Sequence, residues 1–447
     1  MVSLNPSSVR VRAYKVGFGD CLLITIGYGG PLPDGRSERH LLVDFGTKAG
    51  ADGGPKLSQV AKKIAEHCGG RLDVVVITHR HQDHVRGFGD RKARDVLDPL
   101  QPSLIIRPWT DTPAPSRGQP DDDLGAASHR FFELLDALGK HSRTVEQQFD
   151  LDRRVLAKRA RELAELGVSN VEALAMLDSW VPVDRTRWVK AGDVVDVDDI
   201  LPGVGIEVLG PPTLEQVPQM KSYASSSAEY WLGLAEDDAI EPELLDPSEA
   251  EVVGAKEIVA APDGLGRASW LLDRLHDQAP RQVLEIVEGF EDVLNNTSVV
   301  LLLTVGRRRL LLSGDAQVEN WSYTLDRAGG AQDAEAKALL SRLADVDLYK
   351  VGHHGSRNAT PRRLFDLWSR ERRRGHPLCS VLSTQAGLYG TTVEGKVPKP
   401  ELVTALESLG PLHNTEGLAP GVWWFDVEAS ATAGSAEFQY EAGPPQG

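Results

Sequence analysis

Cysteine is scarce in this chain. Three residues in 447, Cys21, Cys68 and Cys379, lie far apart in no paired spacing. That count argues against a disulfide framework and a thiolate metal site, and a reducing cytoplasm is the expected compartment. Long apolar runs are also missing. The longest, Val299–Leu303 and Leu310–Leu312, are separated by Thr304–Arg309, well short of the roughly 20 residues that cross a bilayer. Met1–Pro6 has no basic start followed by an apolar segment, so neither a secretory leader nor a membrane partner is expected. Positive charge is in deficit: 49 Lys and Arg against 65 Asp and Glu leave a formal net charge of -16. This weighs against a surface that attracts nucleic acid as a whole, while leaving room for a local basic groove. There is no fixed-period repeat and no low-complexity tract. What remains, at 41% hydrophobic and a mean hydropathy of -0.26, is a globular chain long enough for one large or two ordinary domains.

The most informative segment begins at Leu72. Leu72–Ile77 reads Leu-Asp-Val-Val-Val-Ile and runs directly into Thr-His-Arg-His-Gln-Asp-His, residues 78–84. A β-branched run that stops at three histidines and a carboxylate predicts a buried strand delivering ligands to the loop at its carboxyl end. His79 and His81, two apart, can point the same way and grip one ion, while Asp83 and His84 turn toward a second position. Imidazole and carboxylate ligate near neutral pH without the deprotonation a thiol needs. The mixed nitrogen and oxygen set favours zinc, manganese or iron over calcium and does not choose among them.

Around that segment the pattern alternates. Strands are predicted at Val9–Tyr14, Cys21–Ile26, His40–Phe45 and Ser103–Ile106, with a helix over about Leu57–Cys68, as in a layered α/β domain. Residues 121–180 turn helical and charged, and read as a cap that packs or as a lid over a site. Strands return at Val194–Val197 and Gly205–Leu209. Residues 213–290 form a second, acidic and partly helical insertion whose run from Glu236 to Glu251 suits a solvated face. The core domain is therefore assembled from residues 1–120, 181–212 and 290–430, with 431–447 as a tail.

Two further strand ends carry metal-capable residues. Arg309–Ser313 leads into Gly314-Asp315, and Val346–Val351 into Gly352-His353-His354-Gly355-Ser356. Alone, Asp315 would read as a turn residue. Together with His79–His84 and the His353–His354 pair it makes three distant strands converging on ligands, the arrangement a two-metal site requires. Glycines beside the ligands allow close backbone approach.

In this order the motifs resemble the metallo-β-lactamase fold superfamily, and most of all the hydrolase domain of ComEC-type competence proteins. The residues that carry the likeness to that branch are Val16-Gly-Phe-Gly-Asp-Cys21, Leu41-Leu-Val-Asp-Phe-Gly46, Asn295-Asn-Thr-Ser298 and Lys350–Ser356. The resemblance implies a four-layer αββα sandwich with helical insertions and two divalent ions, zinc or manganese. It implies His79 and His81 on the first ion, Asp83 and His84 on the second, Asp315 bridging and His353 completing the second site. His354 would stand in the adjacent shell or contact substrate; which of the two neighbouring histidines ligates stays open. Two departures matter. Where many members supply another histidine, this chain has Trp109-Thr-Asp111, so Asp111 is either a substitute ligand or a plain turn residue, and His129 falls in a helical pattern. Where the competence branch tends to show Tyr-Gly-His-Pro, this chain reads Tyr389-Gly-Thr-Thr392. Lys399 beyond it either supplies positive charge or stands in solvent.

The expected chemistry is hydrolysis by a metal-activated water, with Asp83 orienting the nucleophile and Ser356, Arg357 and Lys399 as substrate contacts. A metal centre alone does not select phosphodiester over acyl bonds. The resemblance implies nuclease chemistry, hence a nucleic acid or nucleotide substrate, and Arg357–Arg374 holds seven arginines that either track a phosphate backbone or form a solvated helix. The alternatives are a lactone, thioester or amide hydrolase, and a regulated component of a bacterial defence assembly with a protein partner on the insertions.

Overall fold

The computed structural model describes residues 5–51, 53–112, 170–213, 216, 294–330, 334–372, 377–385, 387–388, 397–432 and 437–446. Within them the chain is a mixed α/β structure built on two mixed sheets. Most of the insertion at 121–180, nearly all of that at 213–290, Tyr389–Thr392 and Arg373–Arg374 lie outside the described residues.

The first sheet holds β1 (Pro6–Tyr14), β2 (Cys21–Tyr28), β3 (Glu38–Phe45), β4 (Val74–Val76), β5 (Leu104–Pro108), β6 (Thr186–Val189), β14 (Trp424–Ser430) and β15 (Gln439–Ala442), in the order β15-β14-β1-β2-β3-β4-β5-β6. Pairing is antiparallel from β15 to β3 and parallel from β3 to β6. The second sheet holds β7 (Val194–Val195), β8 (Val204–Gly210), β9 (Val300–Val305), β10 (Arg308–Leu312), β11 (Leu348–Lys350), β12 (Cys379–Leu382) and β13 (Leu412–Asn414), in reverse sequence order. It repeats the plan, antiparallel from β7 to β10 and parallel from β10 to β13.

The apolar runs are strands because both faces of each sheet are buried, which replaces alternation with continuous hydrophobicity. Side chains still divide by parity. Leu22, Ile24, Leu41, Val43, Val74, Val76 and Ile106 of the first sheet pack into one cluster with Leu301, Leu303, Leu310, Leu312, Leu348 and Val381 of the second. The residues between them face outward. Leu23, Leu42, Val75 and Ile105 meet α1 (Leu57–His67), α2 (Gln82–Gly89), α3 (Arg91–Leu97) and α4 (Val171–Trp180) through Ile64, Phe88, Leu97 and Met176. Val300, Leu302, Leu311 and Tyr349 meet α5 (Val318–Gly330), α6 (Ala334–Ala344), α7 (Arg362–Arg372) and α8 (Pro400–Glu407) through Trp321, Leu343, Trp368 and Leu406. No helix among the described residues is long and apolar enough to cross a membrane.

One buried histidine makes the fold pH-sensitive away from any site. His40 on β3 is almost sealed, with Nδ1 3.1 Å from Thr25 Oγ1. Burial pushes it down to about 4 against the opposing pull of Asp73. Its imidazole is therefore neutral in the fold and charged in the unfolded chain between the two values, so its contribution is present above pH ~6.5 and lost as pH falls toward 4. Chemical denaturation should show stability falling by up to about 1.4 kcal/mol per pH unit in that window, with His40→Gln flattening the slope. An unchanged slope in the variant would remove His40 as its source.

Candidate metal centre

The ends of the parallel strands carry the polar residues, where helix-flanked sheets usually place them. After β4, His79 and Arg80 lead to His81, the N-cap of α2, so Asp83 and His84 fall in that helix's first turn. After β10 come Ser313, Gly314 and Asp315, and after β11 Gly352, His353 and His354. Gly314 is required by contact: with φ of 50° it faces Thr78, whose Cβ would lie 2.7 Å from any Cβ added there. The two sheets' loops touch at that point, and Val299 N donates to Thr78 O across it at 2.8 Å. His353 and His354 both take positive φ, 40° and 50°, a conformation that costs on the order of 1–2 kcal/mol per residue and clusters at functional sites.

Four buried side chains converge: Asp83, His84, Asp315 and His354 each offer one donor atom, all within 4.8 Å of one another. His84 Nε2 lies 3.2 Å from Asp315 Oδ2. His354 Nε2 lies 3.3 Å from Asp83 Oδ2 and 3.7 Å from Asp315 Oδ2. In both rings the opposite nitrogen is anchored, His84 Nδ1 by the Asp44 carboxylate at 2.8 Å and His354 Nδ1 by the Ser383 carbonyl at 3.0 Å. That anchoring leaves each Nε2 aimed at the carboxylates, the orientation of metal-ligating histidines. His81 Nε2 is buried without a hydrogen-bond partner. Beside this group, His79 Nε2 and His81 Nδ1 stand 2.9 Å apart.

The electrostatics divide the imidazoles. Burial drives His79 well down and His81 down to about 4, and the neighbouring His84 pushes both further the same way, so both rings are neutral, the protonation state in which imidazole ligates a cation. Burial would lower His84 and His354 as well, but Asp315 with Asp44 raises the first well above its ordinary value, and Asp315 with Asp83 raises the second. Against the upward push of burial, those two rings hold Asp315 and Asp83 far below the usual carboxylate range. A convergent, acceptor-rich set that draws positive charge onto its histidines fits a divalent cation, which replaces the protons when it binds.

Other residues close the surroundings. Asp44, at φ 53°, accepts from Thr78 N at 2.8 Å and Thr78 Oγ1 at 2.7 Å as well as from His84. Lys350 Nζ donates to Asp20 Oδ2 at 2.8 Å inside the protein, while Asp20 N donates to the Asp83 carbonyl at 2.9 Å. Asp20, Asp44, Lys350 and Ser383 were not among the predicted site residues. Asp44 could have been found by the criterion that found the others, a carboxylate ending a strand.

Several predicted residues stand elsewhere. His354, not His353, joins the four. The half-buried His353 ring turns to Ser356 Oγ at 2.8 Å and to Asn295 Nδ2 at 3.4 Å, and only its backbone N reaches Asp315 Oδ1, at 3.1 Å. Asp111 is not among the grouped donors, because both its oxygens are taken: Arg80 Nε donates to Oδ1 at 2.8 Å and Arg107 Nη2 to Oδ2 at 3.1 Å. Lys399 is buried rather than solvent-exposed, since it caps α8 and its backbone N donates to the Gly355 carbonyl at 2.7 Å. Arg357 is half-buried on the loop after Ser356. On α7, Arg363 pairs with Asp326 of α5 at 2.6 Å rather than facing the centre.

No protein-family model matches the chain, and no curated protein matches it. Among solved structures, a proposed metal-dependent hydrolase from Parabacteroides distasonis ATCC 8503 is similar over 91% of this chain and 94% of its own, at 11% identity and a TM-score of 0.31. A likeness that low carries no inference about chemistry.

The geometry separates the two adjacent histidines experimentally. In calorimetric titration with Mn2+ or Zn2+, His354→Ala should weaken the tightest binding by more than about 100-fold, and Asp44→Ala by about 10- to 100-fold. His353→Ala should change it several-fold at most. Equal losses for the two histidines would contradict the assignment of His354.

Proposed function

We propose that this protein is a metal-dependent phosphodiesterase with the four-layer αββα arrangement of the metallo-β-lactamase superfamily, similar to the ComEC-type hydrolase branch. It acts on nucleic acid or nucleotides through two divalent ions, zinc or manganese. The observation that carries the reading is the buried convergence of Asp83, His84, Asp315 and His354 from three strand ends. His79 and His81 would hold one ion and the other four residues the second, with Asp315 shared. Divalent cations held there would supply a lowered pKa for water and positive charge toward the non-bridging oxygens of a diester.

The chain's own groups do the rest. Asp83, at the first turn of α2, holds a carboxylate where the helix dipole favours negative charge, able to accept a hydrogen bond from a water and so orient it. Asp44 and the Ser383 carbonyl keep the rings of His84 and His354 from rotating. His353, outside the ligand group and half-buried, takes the substrate-contact position, steadied by Ser356 and Asn295.

The test is a screen of the purified protein on single-stranded DNA, duplex DNA, RNA and bis(p-nitrophenyl) phosphate, with chelator and with Mn2+ or Zn2+ restored. Chelation should abolish turnover and metal return it. Asp315→Ala and His81→Ala should lower kcat/KM by more than about 100-fold while circular dichroism stays native. Turnover of lactones or thioesters with none on any diester would replace this reading by acyl hydrolysis.

A further inference from the structure

We infer that the cavity beside His354 binds one six-membered polar heterocycle, a pyrimidine nucleobase of the substrate. This rests on the phosphodiesterase reading and adds a specificity to it. The cavity, of about 150 Å3, is lined by Lys15, Gly17, Ala51, Thr384, Gln385 and Glu416. Two of its walls stand one residue away from groups that touch the His354 imidazole. Phe18, after Gly17, sets its ring centroid 4.2 Å from that of His354, and Ser383, before Thr384, accepts from His354 Nδ1. The cavity is therefore connected to the ring of His354 through Phe18 and Ser383, the residues that hold it.

Size and chemistry both select the ligand. The cleft is half open, and its inner volume near 150 Å3 matches one benzene-sized ring, so the second ring of a purine would lie on its open side without the same contacts. Only glycine fits at position 17 of this wall, because φ is 93° and an added Cβ would lie 2.1 Å from Ala49 O. Rim charges of opposite sign, Lys15 and Glu416, disfavour a ligand of either net charge and suit a neutral polar one. Lys15 Nζ gives one of its three N–H groups to the Leu418 carbonyl at 3.1 Å. Thr384 Oγ1 and Gln385 Oε1, on adjacent lining residues, are buried without a hydrogen-bond partner. Such groups are unfavourable until a partner arrives. A pyrimidine brings a ring or amino N–H for Gln385 Oε1 and a carbonyl for the Thr384 hydroxyl.

Two measurements test this on the full chain. Calorimetry with uridine, cytidine and adenosine should show the pyrimidines binding at least about five-fold tighter than adenosine, a preference lost in Gln385→Ala. Kinetics on a thymidine dinucleotide, an adenine dinucleotide and an abasic tetrahydrofuran dimer should show Gln385→Ala lowering kcat/KM about ten-fold on the first and far less on the third. An equal loss on all three would make Gln385 merely structural and overturn the proposal, as would nucleoside binding without preference. Diester turnover with no base preference would overturn the pocket alone. Pyrimidine binding dependent on Gln385, with no diester turned over, would uphold the pocket and sink the phosphodiesterase reading.

Discussion

Negative charge sealed inside the protein is the constraint on which the rest of this structure depends. Asp20, Asp44, Asp83 and Asp315 lie together, almost without solvent contact, where the parallel strands of the two sheets end. Each ionised carboxylate so placed costs several kcal/mol of lost hydration unless a partner offsets it. The partners are specific: Lys350 for Asp20, His84 for Asp44 and Asp315, His354 for Asp83. A cluster with this demand for positive charge is poised for cations, and the proposed function follows from that demand more than from the outline of the fold.

The same constraint couples the sheets. Lys350 ends β11 of the second sheet and binds Asp20 beside β2 of the first, and Asp20 in turn holds the backbone of Asp83. The side chain that balances one carboxylate thus also ties the loop before His354 to the turn carrying Asp83. Gly314 completes the junction by letting the β10 loop rest directly on Thr78, which is itself locked to Asp44 by two hydrogen bonds. Arg80, between the two neutral histidines, is held by Asp111, and Asp111 by Arg107. Asp111 thus anchors the loop that carries His79 and His81.

Much of this was legible in the chain. The runs at Leu72–Ile77, Val299–Leu303 and Leu310–Leu312 announced strands because burial on both faces leaves little but β-branched and aliphatic residues, and Val9–Tyr14 did so by alternation, with Arg10 and Arg12 on the less buried face. Histidines and carboxylates immediately after such runs announced the centre, since side chains at strand ends project into shared space. Errors arose where the deciding partner is remote in sequence. Lys399 stood open between site charge and solvent, and it is buried, capping a helix against Gly355. Asp111 invited a metal role until two arginines were found on its oxygens, one of them 31 residues away.

The sequence by itself determined the strand runs and the residue types able to hold a cation, because both follow from local pattern and intrinsic chemistry. It did not decide between His353 and His354: adjacent residues share every local signal, and only the left-handed turn after β11 sends one ring to Asp83 and Asp315 and the other to Ser356. Nor could it show the Asp20–Lys350 pair, separated by 330 positions, or the cavity joining Gly17 to Thr384. Those depend on how two sheets meet, a packing of non-local surfaces that no neighbouring residues encode.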